Sequence, residues 1–191
     1  MNRRTLALVV LLVSALALPL SASQFIKASF DDLARESQYV VRGEIVSTWS
    51  AWDDAREVIY TYATVRVHRY FGETTGPDTL IVREVGGTVE GYTQEAIGFP
   101  MLRDNENVVL MLSRWEDGSE FRIHGFNQGK YLVRNKGGIE VLHEDPVKQG
   151  DARLHRTELG ARQVSEELSM REFATMVDDA RSGRNFDRPR Q

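Results

Sequence analysis

The stretch Glu57–Gly72, EVIYTYATVRVHRYFG, decides the fold class. Its side chains alternate. Ile59, Thr61, Ala63, Val65 and Val67 fall on one face, and Tyr60, Tyr62, Arg66, His68 and Tyr70 on the other, as the period of two in a β-strand requires. The first set is the core-facing one. The second has two readings: an aromatic-plus-arginine stripe that stacks a ligand, or a second packing layer covered by the C-terminal helix or a long loop. Tyr60, Tyr62, Arg66 and His68 are its candidate binding residues.

Further strands flank this one. Upstream, Tyr39–Trp49 (YVVRGEIVSTW) places Tyr39, Val41 and Ile45 on one face, and Gly43 marks a bulge or a close backbone approach. It is the expected hairpin partner, with Trp49, Trp52 and Asp53-Asp54 forming the turn. Downstream, Gly76-Pro77 signals a turn before a third strand, Thr79–Val85. The pattern dissolves between Gly86 and Asn107, a long connection of the kind that tends to carry function. Asn107–Leu112 (NVVLML) is a continuous apolar run, expected of a strand covered on both faces. Asp117-Gly118 signals a hairpin turn. Phe121–Phe126, Gly129–Arg134 and Ile139–Leu142 are shorter strands.

Two helices complete the pattern. Ser29 is the expected N-cap of a short helix through Glu36, with Asp31 and Asp32 in its first turn. Ser169-Met170-Arg171-Glu172 forms a capping box. Phe173, Met176, Val177 and Ala180 then recur at helical spacing, so Met170–Arg181 is expected to be amphipathic. Residues 143–169 are polar and read as a surface excursion, with a loose helical piece around 158–168; residues 182–191 read as a disordered tail.

The N-terminus has the form of an export signal. Arg3-Arg4 precedes an apolar run from Leu6 to Leu18, and Ser21-Ala22-Ser23 supplies a small-x-small cleavage site. The expected cut follows Ser23. Residues 1–23 are then a signal peptide and 24–142 the main domain, with no stable membrane insertion after cleavage. Its 191 residues suit one domain, and 41% apolar with 27% charged residues suits a globular one. There is no cysteine, so disulfides, thiolate nucleophiles and cysteine-ligated metals are excluded. Loss of Arg3 and Arg4 with the leader takes the formal charge from −4 to −6, which disfavours nucleic acid as a partner.

The motifs of chemistry are missing. His68, His124, His143 and His155 show no metal-ligand spacing, and no G-x-S-x-G, S-x-x-K or phosphate-loop pattern occurs. Asp104-Asn105-Glu106-Asn107 lacks the glycine and closing glutamate of a calcium loop. The sequence therefore assigns no catalytic residue, no metal ligand and no cofactor.

The order of segments is similar to that of a broad group of uncharacterised exported bacterial proteins, over roughly Ser29–Leu142. It runs DLARESQYVVRGEIV, YTYATVRVHRYFG, IVREVGG, NENVVLMLSR and FRIHGFNQGKYLV. The strand plan resembles the netrin-like module of the tissue inhibitors of metalloproteinases. That resemblance implies a mainly β fold: a single OB-like antiparallel barrel with a short N-terminal and an amphipathic C-terminal helix. The inhibitors chelate zinc through a mature N-terminal cysteine. Here the expected mature N-terminus is Gln24, so the likeness extends to the fold alone. The expected function is a non-catalytic binding module for another exported protein or a small ligand. The alternatives are a protease inhibitor acting through residues 87–103, and a hydrolase with dispersed residues such as His68 and His124. Gly87, Tyr92 and Phe99 are the candidate contacts on the long loop.

Overall fold

The computed structural model describes residues 28–118, 120–145 and 168–183. The expected leader, most of the excursion with its helical piece, and the tail beyond Gly183 lie outside them. The elements are α1 (Phe30–Glu36), β1 (Tyr39–Trp52), β2 (Ile59–Tyr70), β3 (Thr79–Val85), β4 (Gly87–Val89) and β5 (Tyr92–Gln94). There follow β6 (Asn107–Arg114), β7 (Phe121–Ile123), a 3-10 turn (Phe126–Gly129), β8 (Lys130–Lys136), β9 (Ile139–Glu144), β10 (Leu168–Ser169) and α2 (Met170–Arg181).

Five strands close a barrel in the order β1-β2-β3-β7-β6, with β6 returning to β1. Four of these pairings are antiparallel. The seam between β3 and β7 is parallel and holds a single ladder pair, Val82 with Phe121. This is the five-stranded OB-like barrel expected from the strand pattern. At the seam a side chain reinforces the backbone: the Ile123 amide donates to the Glu84 carboxylate.

The alternation in β2 assigns its faces as expected. Ile59, Ala63 and Val65 are buried, and the barrel interior is filled by Val41, Ile45, Ala63, Val65, Leu80, Val82, Val108, Leu110, Leu112, Phe121 and Ile123. Gly43 sits where the register of β1 against β2 shifts. A Cβ there would lie 2.5 Å from the Arg66 carbonyl oxygen, so the strands approach this closely only at a glycine.

The expectation of a strand covered twice is met by β6. Val108, Leu110 and Leu112 enter the barrel, while Val109 and Met111 face outward into a second core. There α1 and α2 lie against the wall, burying Leu33, Ala34, Val40, Phe71, Val109, Met111, Leu142, Phe173, Val177 and Ala180. Phe173 is the hub. It meets Phe30, Phe71 and Tyr131 edge-on with ring centroids 5.4–5.5 Å apart. The Ser169–Glu172 capping box forms, and at the other end of α2 the Arg181 guanidinium donates to the Ala34 and Ser37 carbonyls of α1 and its exit. The sheet extends past the barrel because β8 pairs with β6 at Val108–Leu110, followed by β9 and β10. No described helix is long and apolar enough to cross a membrane.

Three expectations are corrected. The polar excursion does not begin at His143: β9 runs to Glu144, Asp145 is buried, and Leu168–Ser169 is a strand. The expected strand Phe121–Phe126 stops at Ile123, because Gly125 takes a left-handed conformation and the 3-10 turn follows. The tyrosine face of β2 is not roofed by α2, which lies on a different wall. Instead it packs against neighbouring aromatic rings. Tyr62 stacks on Trp49 (5.3 Å, 8°) and Tyr60 meets Trp115 edge-on at 5.8 Å.

Tyr62 is half-buried. An aromatic stack of this kind contributes about 0.5–1.5 kcal/mol beyond burial, against ~3–5 for truncating a core aromatic. Tyr62→Ala is therefore expected to lower stability by only about 1–2 kcal/mol in a thermal or urea melt.

Candidate functional site

The long connection after β3 is itself structured. Gly86 and Gly87 both have positive φ, and a Cβ on Gly87 would lie 2.5 Å from both the Ser50 Oγ and the Thr61 Oγ1. That backbone sits directly on a hydroxyl pair at the barrel rim, where Thr61 donates to the Gly86 carbonyl at 2.7 Å. From there β4 and β5 form a hairpin through Glu90-Gly91, both with positive φ, the geometry of a type I′ turn. The hairpin is anchored to the β1–β2 end. The Ile59 amide donates to the Gln94 Oε1 at 2.7 Å, Tyr92 meets the Trp52 ring, and Arg56 pairs with Glu90.

Residues 95–103 return across the barrel mouth. Leu102 drops into the barrel core, and Phe99 packs edge-on against Phe126 at 4.9 Å. Between this segment, the hairpin and the end of β3 lies a cavity of about 640 Å³. Ala96, Ile97, Phe99, Pro100, Met101 and Leu102 supply its apolar walls. Its polar groups come from Thr61, Glu84, Thr93, Gln94, Asn127 and Asp145, with Glu95 and Arg103 also lining it.

Two buried ionisable groups define this end of the molecule. Glu84 follows Leu80 and Val82 on the inward face of β3 and is 2% exposed. Burial pushes its carboxyl up to about 8, opposed by the Ile123 amide and by the charge of Arg122. Near neutrality it is a neutral acid. The Lys130 side chain is 0% exposed. Its ammonium donates to the Met101 carbonyl, to Glu106 Oε2 at 2.7 Å and to Asp145 Oδ2 at 2.9 Å. One cation on β8 thus fastens the 95–103 segment to the residue before β6 and the residue after β9.

Of the residues singled out from sequence, the structure brings Gly87 and Phe99 together at the cavity. Tyr92 lies on the exposed hairpin, against Trp52. Tyr60, Tyr62, Arg66 and His68 occupy the outer face of β2, and none lines the cavity. Arg66 pairs there with Glu44, and the Arg42 guanidinium lies 2.7 Å from His68 Nδ1. His124 lies 3.4 Å from Glu36 and does not share those partners. Among the described residues no three histidines or acids group as metal ligands.

The sequence reading missed Glu84, Glu106, Lys130 and Asp145. For Glu84 and Lys130 the parity of the strand was a signal. Glu84 holds the same strand parity as Leu80 and Val82, and Lys130 the same parity as Leu132, so each stands on a barrel-facing position. The hairpin was also legible, as Glu90-Gly91 between Thr88-Val89 and Tyr92-Thr93. No family model, curated protein or solved structure matches the chain.

Proposed function

We propose that this is an exported, non-catalytic binding module whose ligand occupies the cavity at the barrel mouth. The observation that carries the reading is the cavity itself: about 640 Å³, within the range of small-ligand sites, with apolar walls and a few converging polar groups. Support also comes from its anchoring. The Lys130 network, the Gln94–Ile59 hydrogen bond and the Thr48–Asp104 hydrogen bond at 2.7 Å hold its walls in place without a ligand. Export rests on the basic, apolar and small-residue pattern of residues 1–23.

Ala96 lines the cavity and is half-buried. Ala96→Trp should fill the space and weaken binding of small aromatic and aliphatic probes at least about tenfold, read by ligand-observed NMR, because the indole takes the probes' volume. Trp49→Ala, on the outer face, should leave binding unchanged. Undiminished probe binding by a folded Ala96→Trp variant would remove the cavity from consideration.

A second reading treats the same loop as a protein-contact surface, as in a protease inhibitor. It is favoured by the exposure of Ile97 (64%) and Met101 (44%), large apolar side chains on an anchored segment. Inhibition of secreted proteases that is lost in Ile97→Asp would support it.

A further inference from the structure

The cavity contains one polar group whose presence the fold alone does not explain. Glu84 accepts the Ile123 amide through one carboxylate oxygen. Its second oxygen has no hydrogen-bond partner among the described residues, although the side chain is almost wholly buried and lines the cavity. A glutamine would hold the same seam without the tendency to charge.

The surrounding charge is acidic. Glu84, Glu95 and Asp145 line the space, and the one lining cation, Arg103, is engaged by Glu106 at 2.9 Å. Lys130 lies behind the wall, saturated by Glu106, Asp145 and the Met101 carbonyl. Arg122 on β7 also acts on Glu84 electrostatically, while its cross-strand neighbour on β2, Thr61, is uncharged. An anionic ligand would meet no free cation among the lining groups. An ammonium group would find an unpaired carboxyl oxygen, and Ile97, Phe99 and Met101 would cover an apolar body.

On the reading of the cavity as a ligand site, we infer that its ligand is an organic monocation: an amine on an apolar body, with Glu84 as counter-ion. The empty site holds a proton on Glu84, which avoids an uncompensated buried charge. When the ammonium enters, that proton leaves to solvent and the carboxylate pairs with the ligand. One proton is released, one cation is bound, and the charge of the site is unchanged.

The test is calorimetric titration of the full chain with benzylamine and hexylamine, beside benzyl alcohol, hexanol and hexanoate. Amines should bind at least about tenfold tighter than the matching alcohols near pH 8, and hexanoate weakest. Amine affinity should rise about tenfold per pH unit from about pH 6 until Glu84 is ionised. Heats measured in two buffers of different ionisation enthalpy should report close to one proton released near pH 6. Glu84→Gln keeps the acceptor for Ile123, and should lose both the amine preference and the proton release while still binding the alcohols. Equal binding of amines and alcohols without proton release by the wild-type chain would overturn the inference and leave the cavity standing as a site. Binding of neither class would overturn the cavity reading with it. The proton count needs no variant, so the inference stays testable even if Glu84→Gln folds poorly.

Discussion

Lys130→Met should lower stability by about 3–5 kcal/mol, the range for removing one partner of a buried ion pair. For a chain of this size that is a fall of roughly 10 °C in Tm. The methionine keeps most of the volume, so lost packing is a minor part of the effect. The dominant part is electrostatic. Glu106 and Asp145 both approach the ammonium within 3 Å and are themselves largely buried, so without it two like charges face each other, with only Arg103 left beside Glu106. The Met101 carbonyl also loses its donor. Urea denaturation at neutral pH measures the loss, and one comparison identifies its cause. Adding Glu106→Gln and Asp145→Asn to Lys130→Met should recover part of the stability, since a neutral polar pocket carries no repulsion. A triple variant no more stable than the single one would show that the ammonium's hydrogen bonds matter more than its charge. Because Lys130 tethers the 95–103 segment, probe binding in the cavity should weaken in Lys130→Met as well.

Glu84 should make the protein less stable as the pH rises. Its carboxyl is held up to about 8 in the fold, against an ordinary value of 4.5. Within that window the folded chain retains a proton that the unfolded chain has released. Stability therefore falls with pH, at about 1.4 kcal/mol per unit for one group. The contribution is fully present below the unfolded value and is lost as pH rises through the folded one. Other groups titrate over the same range, so the informative quantity is the difference between wild type and Glu84→Gln. The two should be of similar stability near the acid end of the window. The glutamine variant should then become progressively the more stable, by several kcal/mol near pH 8, because it has no proton to lose. Parallel urea curves across the pH range would show that the seam beside Ile123 does not hold a protonated acid.

These two groups also show where the sequence was legible and where it was not. The barrel was readable because period-two alternation is local: Ile59, Ala63 and Val65 declare their face without knowledge of the partner strand. The double-sided strand was readable for the same reason, since Val108–Leu112 offers no polar side to expose. The capping box at Ser169 is a four-residue signal, and it forms as expected. The site has no such local signature. Its lining comes from β2, β3, the hairpin, the 95–103 segment, the 3-10 turn and Asp145, which only barrel closure brings together. Glu106 lies just before an apolar strand and Lys130 just after Gln128-Gly129. Nothing in one sequence says that they meet across 24 residues. The aromatic face of β2 is the converse case. Its tyrosines were conspicuous, yet they pack on Trp49 and Trp115 at the surface, away from the cavity.

The position of Phe173 has a consequence for the order in which this molecule can assemble. The strands that close the barrel are all present once residue 123 has been made, so the inner core can form from a partial chain. The outer core cannot, because its hub and the Arg181 clasp arrive some fifty residues later in synthesis. Until then Val40, Phe71, Val109 and Met111 form an apolar wall on an otherwise closed barrel, covered by α1 but not by α2. The vulnerable species during biogenesis is therefore a nearly complete one, with a finished interior and a sticky exterior, and sealing it falls to the helix made last among the described elements.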